Sequence, residues 1–333
     1  MKIVALEEHF ATPDVMTAWE TLSPALKDIA VTQSKIGEVE RRLFDLADER
    51  IRLMDNSGIN MQVLSLTTPG VQSLDPDKAV SLARASNDIL AETVSGRPDR
   101  FQGFATLPTP VPDEAARELE RATRKLGLHG AILYGRTRER NLDHPDFLPV
   151  FETAAALHAP LYLHPQSPLP AIRNAYYHGF GDKLDAMLAT AGIGWHYETG
   201  IQALRLVLSG VFDRFPNLQL VLGHWGEVVL FFLERIDLLS KEANLGTGLQ
   251  RPISSYFKTN ISVTPSGLLS QRYLAWAREV LGVERILFSI DYPYHLAPNG
   301  GARRFLEEAD LSDVEREGVA HANWERMCAA IRR

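Results

Sequence analysis

The chain has 333 residues and a single cysteine, Cys328, which excludes an internal disulfide framework and any cysteine-rich zinc site. Hydrophobic residues make up 45% and charged residues 23% of the sequence, and the net charge of -7 without a lysine- or arginine-rich run argues against nucleic-acid binding. Residues 1–9 do not resemble a signal peptide and no apolar run is long enough for a membrane span, so we expect no membrane association and a cytoplasmic location.

Eight short apolar runs predict β-strands along the chain. Several of them, such as residues 61–66, are almost continuously apolar, which is typical of strands buried on both faces of a parallel sheet. The predicted strands cover residues 2–9, 61–68, 101–107, 128–134, 160–164, 218–224, 256–263 and 285–291.

Amphipathic patterns between these runs predict helices. The first of them has Asp75 as its cap and Pro76 in its first turn, both of which suit a helix start. The last predicted helix begins with a capping box, in which Glu315 follows Ser312 by three residues. The other helical patterns complete an alternation with the strands, and the predicted helices cover residues 76–95, 112–126, 145–158, 197–212, 227–243 and 268–281.

This alternation predicts an α/β fold, a (β/α)8 TIM-type barrel formed by one domain over residues 1–333. A doubly wound open sheet is the alternative, but no Gly-x-Gly-x-x-Gly turn follows any predicted strand. Long connections follow strands 1, 5 and 8, at residues 10–43, 165–195 and 292–302. In a barrel these βα loops all lie at the C-terminal face, where active sites are built.

The end of the first strand carries a candidate metal site. Glu7 and His9 are two residues apart, so in a regular strand their side chains point to the same side. A carboxylate and an imidazole at the end of a buried strand are costly to desolvate without compensation. A divalent metal ion would provide that compensation, and the alternative is a solvated strand end bonded to nearby backbone.

Three further strand ends carry ligand-type side chains, namely His164, His224 and Asp291. With Glu7 and His9, they are expected to converge on the C-terminal mouth of one barrel. Mixed nitrogen and oxygen ligands suit Zn²⁺, Mn²⁺ or Fe²⁺ rather than Ca²⁺ or Cu⁺.

Glu227 follows His224 by three residues at the start of a predicted helix. At this spacing its carboxylate can orient the imidazole, although a first-turn acid that favours the helix dipole is an equal alternative. Two further histidines, His196 and His295, lie in or beside the long loops near the expected site.

With these residues in view, the sequence resembles the amidohydrolase superfamily, and within it the metal-dependent decarboxylases of γ-resorcylate, 2,3-dihydroxybenzoate and 5-carboxyvanillate. The resemblance runs almost from end to end and keeps its order along the chain. It is carried by residues 5–10 (ALEEHF), 64–72 (LSLTTPGVQ), 97–101 (RPDRF), 163–165 (LHP), 198–199 (ET), 204–206 (LRL), 209–213 (SGVFD), 222–224 (LGH), 226–227 (GE) and 287–293 (LFSIDYP).

The resemblance implies a (β/α)8 barrel that holds one divalent metal ion, Zn²⁺ or Mn²⁺. It assigns Glu7, His9, His164 and Asp291 as the metal ligands and His224, with Glu227 beside it, as the catalytic histidine. Other amidohydrolases hold two metals through a lysine on strand 4, but residues 131–134 read Ala-Ile-Leu-Tyr, so a mononuclear site is expected.

Relatives of this branch are dimers or tetramers, and we expect a homodimer or homotetramer here. Arg235 matches an arginine that reaches the site of a neighbouring subunit in some relatives. The sequence departs from the family at Tyr134, where the decarboxylases usually have Asn, and at Tyr294 and His295, where they have Phe-Glu. With His196, the candidate substrate contacts are therefore Tyr134, His196, Arg235 and Tyr294.

The leading hypothesis is the non-oxidative decarboxylation of an ortho-hydroxy aromatic carboxylic acid. In the family the metal chelates the substrate, and the strand-8 aspartate, here Asp291, gives a proton to the ring. The alternative is a metal-dependent hydrolase or hydratase of a small cyclic or carboxylated substrate, which would use metal-activated water. A third hypothesis is a non-catalytic metal- or ligand-binding protein.

Overall fold

A computed structural model of the protein describes residues 1–242 and 248–333, and parallel strands form its centre. All strand pairs are parallel, and consecutive strands lie side by side in the order of the sequence. The strands are β1 (Val4–Phe10), β2 (Met61–Leu66), β3 (Phe101–Gly103), β4 (Ala105–Thr106), β5 (Ala131–Tyr134), β6 (Leu161–His164), β7 (Leu220–Leu222) and β8 (Ile261–Val263).

Two seams join the sheet β1-β2-β3 to the sheet β4-β5-β6-β7-β8 and close the barrel. At the first seam the amide of Phe104 donates to the Leu64 carbonyl oxygen at 2.9 Å. At the second, residues 286–289 bridge β8 to β1 through the parallel pairs Val263–Ile286 and Leu6–Ser289. The predicted (β/α)8 barrel is therefore confirmed.

Three predicted strands differ from the structure by more than a shift of their ends. The run 101–107 is divided into β3 and β4 at Phe104, and the run 285–291 closes the barrel through isolated bridges rather than a continuous ladder. The prediction of strand over 256–263 was wrong in its first half, because Ile253–Thr259 is a helix and only Ile261–Val263 is a strand. Tyr256 and Phe257 are buried from that helix, and a short apolar run does not by itself distinguish a buried helix from a strand.

The predicted helices are found with shifted ends. Pro76–Gly96 begins after Asp75, whose side chain makes no capping hydrogen bond, whereas the capping box of Ser312 and Glu315 is formed. The helix predicted over 227–243 is Val229–Glu242, and residue 243 lies outside the described residues. The α-helices are Pro13–Glu20, Val39–Phe44, Asp48–Ser57, Pro76–Gly96, Pro112–Arg124, Leu148–Leu157, Pro170–Ile172, Asp182–Met187, Gly194–Leu208, Val211–Arg214, His224–Glu227, Val229–Glu242, Ile253–Thr259, Gln271–Leu281, Gly301–Glu307, Asp313–Glu317 and Asn323–Ala329. Short 3-10 and π turns lie at Ile29–Lys35, Pro145–Phe147, Arg173–Tyr177, Leu188–Gly192, Val283–Arg285 and Gly318–Ala322.

The core has two parts, which follow from the alternation of side chains along each strand. One face of the strands packs against the helices in a large outer cluster. The other face fills the barrel with side chains such as Val4, Val63, Phe104 and Val221, and Trp324 closes this inner cluster. Within the described ranges no helix is long and apolar enough to cross a membrane. The two clusters occupy both faces of the strands, so the site is formed by the C-terminal ends of the strands and the segments that follow them.

Candidate metal centre and active site

The ends of β1 and β6 and the barrel-closing segment bring Glu7, His9, His164 and Asp291 together. Their ligand atoms all lie within 4.8 Å of one another, and all four residues are buried. His9 Nε2 lies 3.2 Å from Asp291 Oδ1, and His164 Nε2 lies 3.4 Å from Glu7 Oε1. The four side chains that the sequence pattern singled out as candidate ligands therefore form one cluster.

Unpartnered atoms in this cluster fit a divalent cation. Glu7 Oε1, His9 Nε2 and Asp291 Oδ1 are buried and have no hydrogen-bond partner among residues 1–242 and 248–333. His164 Nδ1 donates to the Pro165 carbonyl oxygen at 2.9 Å, which leaves the lone pair on Nε2 free to face the cluster. Buried polar atoms without partners are costly, and a cation bound between these nitrogens and oxygens would satisfy them.

The pKa values of the four residues in the cluster also favour a bound cation. Burial raises the pKa of Glu7 to about 8 and that of Asp291 to about 7, because desolvation disfavours a carboxylate. Burial also lowers the pKa of His9 to about 3 and that of His164 well below its ordinary value, so both imidazoles are neutral. Metal ligands are neutral imidazoles and ionised carboxylates. The two imidazoles of this cluster are already neutral, and its two carboxyls need a nearby positive charge in order to ionise.

Glu7 is held in place by residues that the sequence analysis did not single out. The hydroxyls of Tyr162 and Ser266 both donate to Glu7 Oε2, which leaves Oε1 for the cluster. Gly223 provides the room, since a Cβ at that position would lie 2.7 Å from Ser266 Oγ and 3.1 Å from Glu7 Oε1. Tyr162 lies two residues before His164 on β6, so strand alternation could have predicted it, whereas no local signal points to Ser266.

A second buried network fixes the backbone of β1. Glu8 is fully buried and accepts hydrogen bonds from the Ile290 amide at 2.9 Å and from Gln62 Nε2 at 3.0 Å. Arg50, also fully buried, donates to the carbonyl oxygen of His9 at 2.5 Å and to Gln62 Oε1 at 3.2 Å. Through these contacts the helix Asp48–Ser57 holds the strand end from which His9 projects.

His224 belongs to a second cluster, in which one carboxylate holds two imidazoles. Glu227 is fully buried, and its two oxygens accept from His224 Nδ1 at 2.8 Å and from His196 Nδ1 at 2.7 Å. Burial disfavours the charged form of His224, but the Glu227 carboxylate outweighs it and raises the pKa of His224 to about 10. Burial likewise opposes ionisation of Glu227, and the two imidazoles lower its pKa to about 2. Because Nδ1 is engaged, Nε2 of His224 is the nitrogen left for the cavity.

The functional side chains stand on an unusual backbone. Glu7, His224, Glu227 and Asp291 all have positive φ values, of 62°, 45°, 53° and 63°. Residues other than glycine rarely adopt this region, and such strain clusters at functional sites. At Glu7 the register of β1 against β2 shifts, so a bulge, rather than the regular strand that the sequence predicted, places Glu7 beside His9.

A cavity of about 790 Å³ opens over the two clusters. His164, His196, His224, Asp291 and Tyr294 line it, together with His295 and residues of the segments that follow β6, β7 and β8. The Tyr294 hydroxyl lies 2.6 Å from Thr67 Oγ1, and burial raises the pKa of Tyr294 to about 12, so it is a neutral hydroxyl.

Two of the candidate substrate contacts, Tyr134 and Arg235, do not line the cavity of their own chain. Tyr134 is buried behind His164, with 5.6 Å between the ring centroids, and its hydroxyl donates to the Leu66 carbonyl oxygen. Arg235 is exposed on the helix Val229–Glu242. Within one chain, His196 and Tyr294 are therefore the predicted contacts that reach the cavity.

Comparison with known proteins places these residues in a family. The profile of the amidohydrolase family matches residues 9–327. A gamma-resorcylate decarboxylase from Polaromonas sp. (strain JS666) is 37% identical over 97% of both chains. The crystal structure of 5-carboxyvanillate decarboxylase from Sphingomonas paucimobilis is 36% identical, with a TM-score of 0.90 over 98% of this chain and 99% of that one.

A third relative was crystallised with a metal and an inhibitor. The dihydroxybenzoic acid decarboxylase from Polaromonas sp. JS666, with bound manganese and 2-nitroresorcinol, is 35% identical, with a TM-score of 0.85 over 98% of this chain and 97% of that one. Each of these three relatives matches almost the full length of the chain. The protein belongs to the amidohydrolase family, in the branch that contains the aromatic-acid decarboxylases.

Proposed function

We propose that the protein is a metal-dependent, non-oxidative decarboxylase of an ortho-hydroxy aromatic carboxylic acid, and that one barrel domain over residues 1–333 carries the activity. The observation that supports this most strongly is the buried cluster of Glu7, His9, His164 and Asp291 beneath the cavity. It lies in a chain that is 37% identical along its length to a gamma-resorcylate decarboxylase.

Glu7, His9, His164 and Asp291 would hold one divalent ion, Mn²⁺ or Zn²⁺. Such an ion supplies positive charge that stabilises the carboxylate and the adjacent phenolate of the substrate. The second cluster supports a count of one ion, because both oxygens of Glu227 are already engaged by His196 and His224.

Asp291 is the proposed proton donor. Decarboxylation replaces the carbon–carbon bond to CO₂ with a carbon–hydrogen bond, so each turnover takes up one proton at the ring carbon. Asp291 lines the cavity, and in the metal-free protein burial raises the pKa of its carboxyl to about 7, so the site already disfavours a bare carboxylate there. Its place at the cavity wall puts it within reach of a bound ring, which is the first requirement for a proton donor. After CO₂ leaves, the carboxylate of Asp291 regains a proton from solvent and the cycle repeats.

His224 is proposed to orient the substrate. In the metal-free protein the Glu227 carboxylate raises the pKa of His224 to about 10, which favours a protonated ring whose Nε2 can donate to the substrate carboxylate or phenolate. Glu227 fixes the ring of His224 through Nδ1, and His196 occupies the other oxygen of that carboxylate. The imidazolium is therefore positioned before substrate binds, which removes part of the reorganisation cost of the reaction.

We also propose that the protein is a homodimer or homotetramer. The helix Val229–Glu242 exposes Phe231 at 74% and Leu238 at 54%, and an exposed apolar face of this kind is a candidate subunit interface. Arg235 is on the same helix and would reach the cavity of a neighbouring subunit. Size-exclusion chromatography with light scattering tests this, and a purely monomeric protein would contradict it.

The function is tested with a panel of hydroxybenzoic acids after metal removal and reloading with Mn²⁺ or Zn²⁺. We expect stoichiometric CO₂ and phenol from at least one ortho-hydroxy acid, strict dependence on added metal, and loss of turnover in Asp291→Asn. Glu317→Gln, at an exposed position on a distant helix, is the matched control and should keep full activity. Hydrolysis of an ester or lactone with ¹⁸O from water in the product, without any decarboxylation, would reject the proposal in favour of a hydrolase.

A further inference from the structure

The indole ring of Trp195 forms part of the cavity wall. Trp195 lies in the first turn of the helix Gly194–Leu208, and it lines the cavity although only 7% of it is exposed. Its ring centroid lies 6.3 Å from that of His164, one of the proposed metal ligands. A substrate ring whose carboxylate meets the ligand cluster would therefore lie beside this indole.

A directed chain of hydrogen bonds fixes the plane of the indole. Trp195 Nε1 donates to Ser167 Oγ at 2.9 Å, and the Ser167 hydroxyl donates in turn to Asp28 Oδ1. An indole N–H can only donate and a carboxylate can only accept, so the direction of both hydrogen bonds is determined. Ser167 is only 3% exposed, and water therefore does not compete for its hydroxyl.

Asp28 holds Ser167 by more than the hydroxyl. Its Oδ2 accepts from the Ser167 amide at 3.2 Å, and its Oδ1 also accepts from the Ala30 amide at 2.8 Å, which caps the turn Ile29–Lys35. On the other side, the Ser167 carbonyl oxygen accepts from Arg136 Nη2 at 2.8 Å. The long connection after β1 and the segment after β6 are therefore joined at this serine.

The residues on either side of Trp195 restrict it further. Glu227, the carboxylate of the second cluster, accepts from His196 Nδ1 at 2.7 Å. Gly194 packs so closely on the preceding segment that a Cβ there would lie 2.4 Å from the Ala189 carbonyl oxygen. The start of this helix therefore has little freedom to move, and the indole keeps a fixed position relative to the second cluster.

We propose that Asp28 and Ser167 are positioning residues of the active site, which fix Trp195 as the wall that aligns the aromatic ring of the substrate above the metal ligands. This inference rests on the proposed function and names residues that act through Trp195 rather than on the substrate itself. All of these contacts lie within one chain, so a neighbouring subunit that contributes to the cavity would leave them in place. A displacement of about 1 Å in a bound substrate can lower a rate about 100-fold, so loss of the chain should be visible in kcat/KM.

A double-mutant cycle on the metal-loaded enzyme tests the chain, with the ortho-hydroxy acid of the panel that is turned over best as substrate. Ser167→Ala leaves the indole N–H without its acceptor, and we expect kcat/KM to fall about tenfold. Trp195→Phe removes that N–H but keeps an aromatic ring, so in this background Ser167→Ala should change kcat/KM by less than about twofold. An equal fall in both backgrounds would show that Ser167 acts on the stability of its loop and would overturn the proposal.

Asp28→Ala tests the other end of the chain. It removes the acceptor of both the hydroxyl and the amide of Ser167, so kcat/KM should fall at least as much as in Ser167→Ala. Ser95→Ala, at an exposed serine whose hydroxyl donates to the Glu92 carbonyl oxygen of its own helix, is the matched control and should keep full kcat/KM. A fall of less than about twofold in Asp28→Ala would exclude Asp28 as a positioning residue.

A spectroscopic measurement tests the wall without turnover. The chain has five tryptophans, and in ¹⁹F NMR of the Zn²⁺-loaded protein with 5-fluorotryptophan the Trp195 signal is assigned by its loss in Trp195→Phe. Ser167→Ala should shift or broaden this signal, and the ortho-hydroxy acids of the panel should shift it in the inactive Asp291→Asn variant.

The possible failures are distinguishable. A Trp195 signal that is unchanged by Ser167→Ala would overturn the positioning role, and one that no acid of the panel moves would overturn the wall, while the decarboxylase would stand in both cases. If no acid is decarboxylated although both changes are seen, the proposed function is at fault and the positioning of Trp195 by Ser167 stands.

Discussion

Replacement of Glu7 by glutamine is expected to stabilise the metal-free protein and to abolish its stabilisation by metal. In the metal-free fold, burial raises the pKa of Glu7 from 4.5 to about 8. The folded chain at pH 7 must therefore keep a proton that the unfolded chain releases. Each pH unit between 4.5 and 7 costs about 1.4 kcal/mol of unfolding free energy, or about 3 kcal/mol in total.

The sign follows from the raised pKa. The contribution of Glu7 to stability is fully present below pH 4.5 and is lost as the pH rises towards 8. The wild type should therefore weaken more steeply across this window than Glu7→Gln, in which only the other buried carboxyls with raised pKa values, such as Asp291, still weaken the fold. The amide oxygen of glutamine can still accept from Tyr162 and Ser266, and its N–H₂ can donate to His164 Nε2, which lies 3.4 Å from Glu7 Oε1. We therefore expect the metal-free variant to be about 1 to 3 kcal/mol more stable than the wild type at pH 7.5.

Urea unfolding at pH 5 and pH 7.5, with EDTA or with Mn²⁺, measures both effects. Added Mn²⁺ at a thousand times its dissociation constant should stabilise the wild type by about 4 kcal/mol and the variant by little. Glu152→Gln, an exposed helical glutamate, is the control and should behave like the wild type. The reasoning is refuted if metal-free Glu7→Gln is less stable than the wild type at pH 7.5, or if it gains as much from Mn²⁺.

Three further substitutions test the residues around the ligand cluster. Glu227→Gln removes the charge that raises the pKa of His224 to about 10, so the NMR titration of that imidazole should move towards neutral pH. Activity should then fall more at pH 8 than at pH 6. An unchanged titration would contradict the role of Glu227. Tyr162→Phe deletes one of the two hydroxyl donors to Glu7, and we expect Mn²⁺ affinity to fall about 10- to 100-fold by isothermal titration, with the fold preserved by circular dichroism. Arg50→Met leaves buried polar groups unpaired and should cost about 3 to 5 kcal/mol in urea unfolding, and a loss below about 1 kcal/mol would show that the guanidinium is dispensable.

The sequence predicts the barrel and the candidate ligands because both depend on local pattern. Parallel strands are apolar on both faces, and their ends are marked where a polar residue follows, as at His164 and Asp291. The same reasoning fails for residues 256–263, where the apolar run continues from the helix Ile253–Thr259 into a strand without a change in composition.

Long-range contacts account for what local pattern misses at the site. Ser266 and Glu7 are 259 positions apart in the sequence, and Arg50 and His9 are 41 positions apart. No pattern in the residues around them indicates that these pairs come into contact. The bulge at Glu7 is equally hidden, because a positive φ at a glutamate is imposed by the surrounding fold rather than favoured by the residue. Tyr134 is one of the predicted substrate contacts, and its burial behind His164 depends on packing that the strand sequence does not encode.

The ligand cluster also lies on the seam that closes the barrel, so metal loading and barrel closure should be coupled. Glu7 and His9 belong to β1 and Asp291 follows the closing segment, and the His9 amide donates to the Tyr292 carbonyl oxygen at 2.6 Å across this seam. A cation held from both sides would cross-link the first and last segments of the barrel, whereas two carboxyls without it disfavour each other's charge. We therefore expect hydrogen exchange at the seam amides, those of residues 6, 9 and 287, to be faster in EDTA than with Mn²⁺. The ladder between β2 and β3 holds none of the proposed ligands and is the control. If Mn²⁺ slowed hydrogen exchange there as much as at the seam, the metal would stabilise the whole fold rather than link the two sides of the seam.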